Sequence, residues 1–341
     1  MIAYKYRSGR GSKDNESKDI FERDIELLSQ DMIYVPTIEQ LNDPSEALHD
    51  ESVFRKQLFF LKPFVSQEVV DGFEKVIQSL NNIKRDVGIY SLSKVITNEL
   101  MWAYYASGHC GYAIMFDTDV LSRSFENGKW GGLYELDVKY LSKLPRFDLS
   151  TMEEKFFEES LSFLVGHKSN AWKHEAEHRL VFDNGGKCIK IDYRAIKGFV
   201  FGCRMNPSDV DYVMRKFSGR NLVYYKVRLK ENSYELWLEE LIDCYPEATE
   251  YYPNMVEYCI DDLLDNDKRL GGVGYKYKPL IAEALSVISR EPFVTKISHV
   301  VVSDERGYPH VIIWTKIHQD GYVKKKRSFE FNFIDGVLTR V

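Results

Sequence analysis

The segment Ala171–Phe182, AWKHEAEHRLVF, contains the spacing H-E-x-x-H between His174 and His178. On a helix this spacing places both imidazoles on one face, one turn apart, with the glutamate beside the metal-bound water of a zinc protease. The apolar run Leu180–Phe182 follows at once and favours a strand, and the remaining histidines are scattered and offer no convincing third ligand. We therefore predict no metal at this segment.

An extended backbone would arrange the same residues differently. With a period of two, Glu175, Glu177 and Arg179 lie on one face of a strand and the two histidines lie on the other. Two carboxylates in this arrangement can take different roles in one reaction, because one can hold a ribose hydroxyl while the other stabilises a developing cation or acts as a base. The alternative is a solvated strand face on which Arg179 neutralises the two carboxylates.

Other chemically useful side chains occur on the elements that would surround this pair. The alternation in IAYKYRS predicts an opening strand, VGIYSLS predicts a buried strand, and TNELMWAYYASG predicts a short helix that ends at Gly108. These three elements supply six side chains that, together with Arg179, are the candidates for contacts to a substrate, namely Tyr6, Arg7, Ser91, Ser93, Trp102 and Tyr105.

The segment Asn42-Asp43-Pro44 predicts a turn, because proline disfavours a helical residue before it and Asn and Asp bond their own backbone. Glu46 follows in the same segment. We assign Asn42, Asp43, Glu46 and Trp172 to turns or to contacts that support the site.

The order of predicted helices and strands divides the chain into two α+β parts. Residues 1–228 predict a mixed, mainly antiparallel sheet with surrounding helices, including a hairpin of EHRLVFD and KCIKIDYR around Asn184-Gly185-Gly186. Residues 229–341 predict a smaller accessory module. In it, YELWLEELIDCY, YPNMVEYCIDDLLDND and YKPLIAEALSVISR are expected to be helices, and a β-meander with a turn at Asp320-Gly321 follows.

Composition narrows the class of protein. Hydrophobic residues make up 44% of the 341 residues and charged residues 29%, enough for a sizeable core in a soluble chain. No apolar run has the length of a membrane span or a signal peptide, and five cysteines without a C-x-x-C pair indicate reduced thiols, so we expect a cytoplasmic protein. The net charge of −6 shows no overall positive charge of the kind that favours binding to nucleic acid.

The basic run KKKR at 324–327 is expected to be a solvated strand face that protects an edge, with a contact to nucleic acid as the alternative.

Several short motifs occur in a fixed order along the first part. They are YKYRS, then LNDPSEA, then IYSLS followed by LMWAYYASGHCGYAIMFD, then W-x-x-E-x-E-x-R and GFVFGCRM. Together they resemble a widespread, mostly bacterial domain-of-unknown-function family, number 2971, over residues 1–228. The matching positions are Tyr6, Arg7, Asn42, Asp43, Pro44, Glu46, Ser91, Ser93, Met101, Trp102, Tyr105, Trp172, Glu175, Glu177 and Arg179.

The order of Arg7, Ser91-Leu92-Ser93 and Glu175-Ala176-Glu177 is also similar to the Arg, Ser-x-Ser, Glu-x-Glu order of one class of ADP-ribosyltransferases. That resemblance implies NAD as a substrate, Arg7 on its pyrophosphate, and Glu177 as the catalytic carboxylate oriented by the serine hydroxyls. It also implies Glu175 on the acceptor side and Trp102 or Tyr105 against the nicotinamide ring.

Two other functions stay open on the sequence. Asp43, Glu46, Glu175 and Glu177 could converge on Mg²⁺ or Mn²⁺, with Lys168 or Lys173 nearby, in a metal-dependent nuclease. The same pocket could instead recognise a ligand or partner without catalysis. The expected partners are a nucleotide and a protein or nucleic-acid acceptor, with no membrane. The family resemblance suggests bacterial conflict or phage defence as the setting.

Overall fold

A computed structural model gives the fold of this chain and describes residues 1–10, 15–125, 133–146, 156–253, 255–265, 273–317 and 325–341. The chain forms two compact units, Met1–Thr249 and Glu250–Val341. Both combine helices with antiparallel strands, so the predicted α+β class is confirmed.

The first unit contains twelve strands among its described residues. They are β1 Ile2–Arg7, β2 Met32–Val35, β3 Gly88–Ser93, β4 Tyr112–Asp117, β5 Tyr134–Asp137, β6 Lys139–Leu141, β7 His167–Ser169, β8 Glu177–Phe182, β9 Lys187–Lys190, β10 Ile196–Phe201, β11 Val223–Leu229 and β12 Leu236–Leu241. The α-helices described in this unit are α1 Asn15–Ser29, α2 Ser52–Leu61, α3 Gln67–Asp86, α4 Glu99–Tyr105, α5 Thr118–Arg123, α6 Phe156–Val165 and α7 Pro207–Lys216.

Eight of these strands form one sheet in the order β12-β11-β10-β4-β1-β3-β8-β5. The β10–β11 pair is parallel and the other neighbours are antiparallel, as predicted for a mixed, mainly antiparallel sheet. One face packs against α1 and α7 through residues such as Phe21, Ile25 and Val213. The opposite face packs against α4 through Met101 and Trp102.

The seam between β1 and β3 is open along most of its length. These strands share one residue pair, Tyr4 with Ser93, whereas β1 pairs with β4 over six residues and β3 pairs with β8 over six. The two halves of the sheet therefore separate beyond Tyr4, on the side of Arg7.

Two local predictions in the first unit are wrong. The segment around Trp237 is the strand β12 and not a helix, because its extended backbone satisfies the free edge of β11. β12 thus joins the sheet of the first unit, which extends to Thr249 and not to residue 228.

The hairpin around Asn184-Gly185-Gly186 does not form either. β8 pairs with β3 and β5, while β9 pairs with β2. A Cβ on Gly185 would lie 2.7 Å from Cα of Gly88, so this glycine lets the chain pass close beside β3 and turn away from the sheet.

The second unit contains α8 Ile260–Asp265, α9 Val273–Lys276 and α10 Lys278–Ile288, followed by β13 Val294–Ser303, β14 His310–Ile317, β15 Lys325–Ile334 and β16 Val337–Arg340. The strands form an antiparallel sheet in chain order, so the predicted meander is confirmed. The predicted turn at Asp320-Gly321 lies outside the described residues. Helix α10 packs Ile281, Leu285 and Ile288 onto one face of this sheet.

Candidate functional site

The open seam between β1 and β3 is the floor of a cleft with a volume of about 600 Å³. Helices α1 and α4 and the loop after β2 also contribute to its lining. Nine of the residues singled out in the sequence line it, namely Tyr6, Arg7, Asn42, Glu46, Ser91, Ser93, Tyr105, Glu175 and Glu177.

The segment His174–His178 is not a zinc helix. Asn170–Glu175 is a short 3₁₀ helix, Ala176 has a left-handed backbone with φ of 44°, and β8 begins at Glu177. His178 instead contacts Asp137 at 2.9 Å, on the side of β8 away from the cleft. Among the described parts of the chain, no group of three His, Cys, Asp or Glu side chains could hold a metal ion.

Glu177 is bound from inside the protein by Arg179, two residues further along β8. The Arg179 Nε–H donates to Glu177 Oε1 at 2.9 Å, and Nη2 donates to Oε2 at 3.0 Å. The Glu46 carboxylate accepts two further hydrogen bonds from Arg179, at 2.6 and 2.9 Å. Arg179 is fully buried, so its expected contact with a nucleotide does not fit; it holds Glu46 and Glu177 in place.

Burial by itself would raise the pKa of the Glu177 carboxyl. The charges of Arg179 and Lys168 and the hydrogen bonds from Arg179 and Ser91 outweigh burial and lower this pKa to about 2. Glu177 is therefore ionised at neutral pH. It can stabilise positive charge, but it cannot donate a proton there.

Glu175 and Glu177 share one cation, Lys168, which the sequence suggests only as part of the nuclease alternative. The Lys168 Nζ lies 2.6 Å from Glu175 Oε2 and 3.4 Å from Glu177 Oε2. Burial would lower the pKa of Lys168, but the two carboxylates outweigh it and raise the pKa above its ordinary value. The Trp172 ring lies outside the cleft lining, and its centroid is 5.1 Å from Lys168 Nζ, so it supports this cation by a cation–π contact.

Tyr105 of α4 reaches one of these two carboxylates, that of Glu175. Asn98 caps this helix by accepting hydrogen bonds from the N–H groups of Leu100 and Met101. The Tyr105 hydroxyl donates a short hydrogen bond to Glu175 Oε1, and burial together with this bond raises the pKa of Tyr105. The Glu175 carboxylate is thus held from two sides.

The two serines of β3 orient the acidic segment, each in its own way. Ser91 forms a side-chain hydrogen bond with the Glu177 carboxylate. The Ser93 hydroxyl donates to the backbone oxygen of Glu175 at 2.7 Å. The first contact restrains the Glu177 carboxylate, whereas the second fixes the backbone before β8.

Basic residues of β1 lie at the open seam. The Arg7 guanidinium hydrogen-bonds to Tyr90 and lies 3.7 Å from Asp24 of α1. Lys5, which the sequence analysis missed, donates to the Ser91 backbone oxygen at 2.8 Å and so satisfies a carbonyl group at the seam. Burial and the neighbouring Arg7 lower the pKa of Lys5 to about 7. Its spacing of two from Arg7 on a strand was the available signal.

Two other sequence candidates lie outside the cleft lining. Trp102 is fully buried, packs edge-on against Tyr6 and donates its indole N–H to the Ile96 backbone oxygen at 2.6 Å. A stacking role on a ligand therefore does not fit Trp102. Asp43 accepts hydrogen bonds from the Ser45 N–H and hydroxyl, as expected for a turn.

These observations define an α+β protein with a cleft at a split seam of its sheet, lined by paired acids and by cations. The sequence model of the family described as "Protein of unknown function (DUF2971)" matches residues 101–180, from α4 into β8. This match confirms the predicted resemblance to that family. No curated protein and no solved structure matches the chain, and similarity to ADP-ribosyltransferases is not shown. No described helix is long and apolar enough to cross a membrane.

Proposed function

We propose that the cleft binds NAD or a closely related nucleotide and that the chain transfers its ADP-ribose group. One observation carries the proposal. The split between β1 and β3 gathers Arg7, Ser91 and Glu177, from three neighbouring strands, around one cleft of about 600 Å³. This volume lies within the usual range of pockets for small molecules and cofactors.

The cations of β1 suit the pyrophosphate. Arg7 can present a planar fork of N–H donors to phosphate oxygens, and Lys5 adds a second positive charge two residues away. Asp24, 3.7 Å from Arg7, is the internal anion that a phosphate would replace as the partner of this guanidinium.

The acids suit the ribose end. When the bond between the ribose and nicotinamide breaks, its electron pair leaves with nicotinamide and the ribose becomes cationic. Glu177 is ionised and held rigidly by Arg179 and Ser91, so it stabilises this charge without reorganising. A ribose hydroxyl competes more easily with Lys168 than with Arg179, because the Lys168 contact to Glu177, at 3.4 Å, is longer than either hydrogen bond from Arg179. Glu175 is assigned to activate the acceptor: the nucleophilic atom of the acceptor forms the new bond to the ribose carbon, and Glu175 takes the proton that this atom loses.

The observation that Glu177 already accepts hydrogen bonds from Arg179, Lys168 and Ser91 favours a second candidate. In that case the cleft senses a nucleotide without turning it over. Bacterial conflict or phage defence is the setting we propose for either function.

The test uses NAD labelled in its adenylate part, and it measures binding and transfer separately. The proposal expects wild-type chain to bind NAD and to release nicotinamide, and Ser91→Ala to lose most turnover while keeping its fold. Glu177→Gln should abolish turnover, and its thermal unfolding must be recorded because it weakens a buried ion pair. Glu231→Gln, an exposed change between β11 and β12, is the matched control.

Binding without nicotinamide release would support the sensing function and reject transfer. Absence of NAD binding by the folded wild-type chain would reject both.

A further inference from the structure

The sheet of the second unit has one face that the described helices of this unit do not cover. On β14, Val311, Ile313 and Ile317 are buried toward the helical side, while Trp314 and Lys316 are exposed on the other. Because residues that stand opposite each other on antiparallel strands share a face, the strand register determines which side chains accompany them.

That register aligns three lysines in one row. Lys296 of β13 stands opposite Lys316 of β14, and Lys316 stands opposite Lys326 of β15. All three are exposed, and within the described residues none of them forms an ion pair. Neighbouring strands are ~4.8 Å apart, so the row carries three positive charges across roughly 10 Å.

The next row holds an aromatic ring between polar groups. Trp314 stands opposite His299 on one side and opposite Ser328 on the other. Trp314 is 39% exposed. Glu330, further along this face, is paired with His310 at 3.5 Å.

Folding does not account for the lysine row. Like charges directly opposite each other on a sheet destabilise it. Lys316 lies on an inner strand between β13 and β15, so protection of a sheet edge does not explain it either. A row of this kind is stabilised by a polyanion laid across the strands.

We propose that this face, defined by Lys296, Lys316, Lys326, Trp314 and His299, binds single-stranded nucleic acid. The lysines contact successive phosphates and the indole ring stacks on a base, a combination that single-strand binding surfaces use. An isolated exposed ring can stack on one unpaired base. A membrane surface would call for several protruding apolar side chains.

The test measures fluorescence anisotropy of labelled oligo-dT and oligo-U with the full chain at low ionic strength. The triple variant Lys296→Gln, Lys316→Gln, Lys326→Gln should bind at least about tenfold more weakly. The slope of log affinity against log salt should fall by about 2, since each phosphate contact on a single strand contributes about 0.7. A matched triple with the same loss of charge uses exposed lysines of the first unit, namely Lys56→Gln, Lys143→Gln and Lys187→Gln.

The aromatic contact has its own pair of variants. Trp314→Ala should weaken binding by roughly fivefold or more, and Trp314→Tyr should restore most of it because a stacking ring is kept. Thermal unfolding of each variant shows whether the sheet is intact.

Three results would overturn the proposal: no binding of either oligonucleotide by the wild-type chain, equal losses in the two lysine triples, or tighter binding to vesicles of phosphatidylcholine and phosphatidylserine. Equal affinity for duplex DNA would overturn the assignment to single strands. The outcome does not depend on whether the cleft binds NAD.

Discussion

Replacement of Arg179 by methionine tests the internal charge network on which the site is built. All five N–H groups of this guanidinium are used, because Glu46 and Glu177 accept two hydrogen bonds each and the Val165 backbone oxygen accepts the fifth at 2.6 Å. Methionine keeps much of the volume but removes every donor. It therefore leaves the buried carboxylates of Glu46 and Glu177 without their shared cation, although Lys168 still contacts Glu177.

The expected loss of unfolding free energy is ~3–5 kcal/mol, the usual effect of removing one partner from a buried ion pair. This is a large fraction of the roughly 5–15 kcal/mol that keeps an ordinary domain folded. In a domain of this size each kcal/mol shifts the melting temperature by about 2–4 °C, so a fall of roughly 6–20 °C is expected.

The pH dependence of stability should also change sign. In the wild-type chain the folded pKa of Glu177, about 2, is below its unfolded value of ~4.3. Its contribution is therefore present above about pH 4.3 and is lost as the pH falls toward 2. In Arg179→Met, burial without the guanidinium raises the folded pKa above the unfolded one. The variant should therefore lose stability as the pH rises from mildly acidic toward neutral.

Thermal and urea unfolding of the two chains across this pH range checks both expectations. Arg228→Met is the matched control, because Arg228 contacts Glu239 at 2.6 Å but both side chains are partly exposed. An exposed pair of this kind contributes at most about 1 kcal/mol. If Arg179→Met cost no more than Arg228→Met, or if it kept the wild-type pH profile, the proposed role of the network would be refuted.

Three further outcomes are expected. Gly111→Ala should lower the free energy of unfolding in urea by about 1–3 kcal/mol, because its Cβ would lie 2.2 Å from the Arg7 backbone oxygen. The control Gly72→Ala, with open space around it in α3, should be neutral or stabilising, and equal effects of the two changes would contradict the packing argument. When an anionic nucleotide binds, Lys5 should take up a proton, so the affinity for the nucleotide should fall as the pH rises through about 7. Calorimetry in buffers of different ionisation enthalpy should show this proton uptake in wild type and its loss in Lys5→Met. Zinc content measured by mass spectrometry should be the same in wild type and His178→Ala, and stoichiometric zinc that the variant loses would revive the metal interpretation.

Much of the site could be predicted from the sequence because strand periodicity is local. Alternation placed Glu177 and Arg179 on the same side of a strand, and the serines of β3 followed from the same rule. Glu175 lies beside Glu177 for another reason than the predicted strand alternation. It belongs to a 3₁₀ helix, and the left-handed Ala176 turns its carboxylate to the same lysine as Glu177.

Residues that act through distant partners could not be assigned in this way. Arg179 looked like a ligand contact, yet the burial that makes it structural depends on Glu46, which is 133 residues away. The sequence does not connect Lys168 with the NAD site, because nothing local shows that β7 lies close to Glu175 and Glu177. The helix predicted at Trp237 failed because a neighbouring strand with a free edge outweighs the local apolar pattern.

Local pattern thus determined the α+β class, the C-terminal meander, the family resemblance and the residue types of the site. Only the tertiary structure decided that H-E-A-E-H is divided between a 3₁₀ helix and a strand, that β9 leaves β8 for β2, and that the seam between β1 and β3 opens. The physical reason is that hydrogen bonding between strands and the pairing of buried charges join residues far apart in the chain. The free energy of these contacts depends on which polar groups are buried away from water in the folded chain. A short stretch of sequence does not specify this.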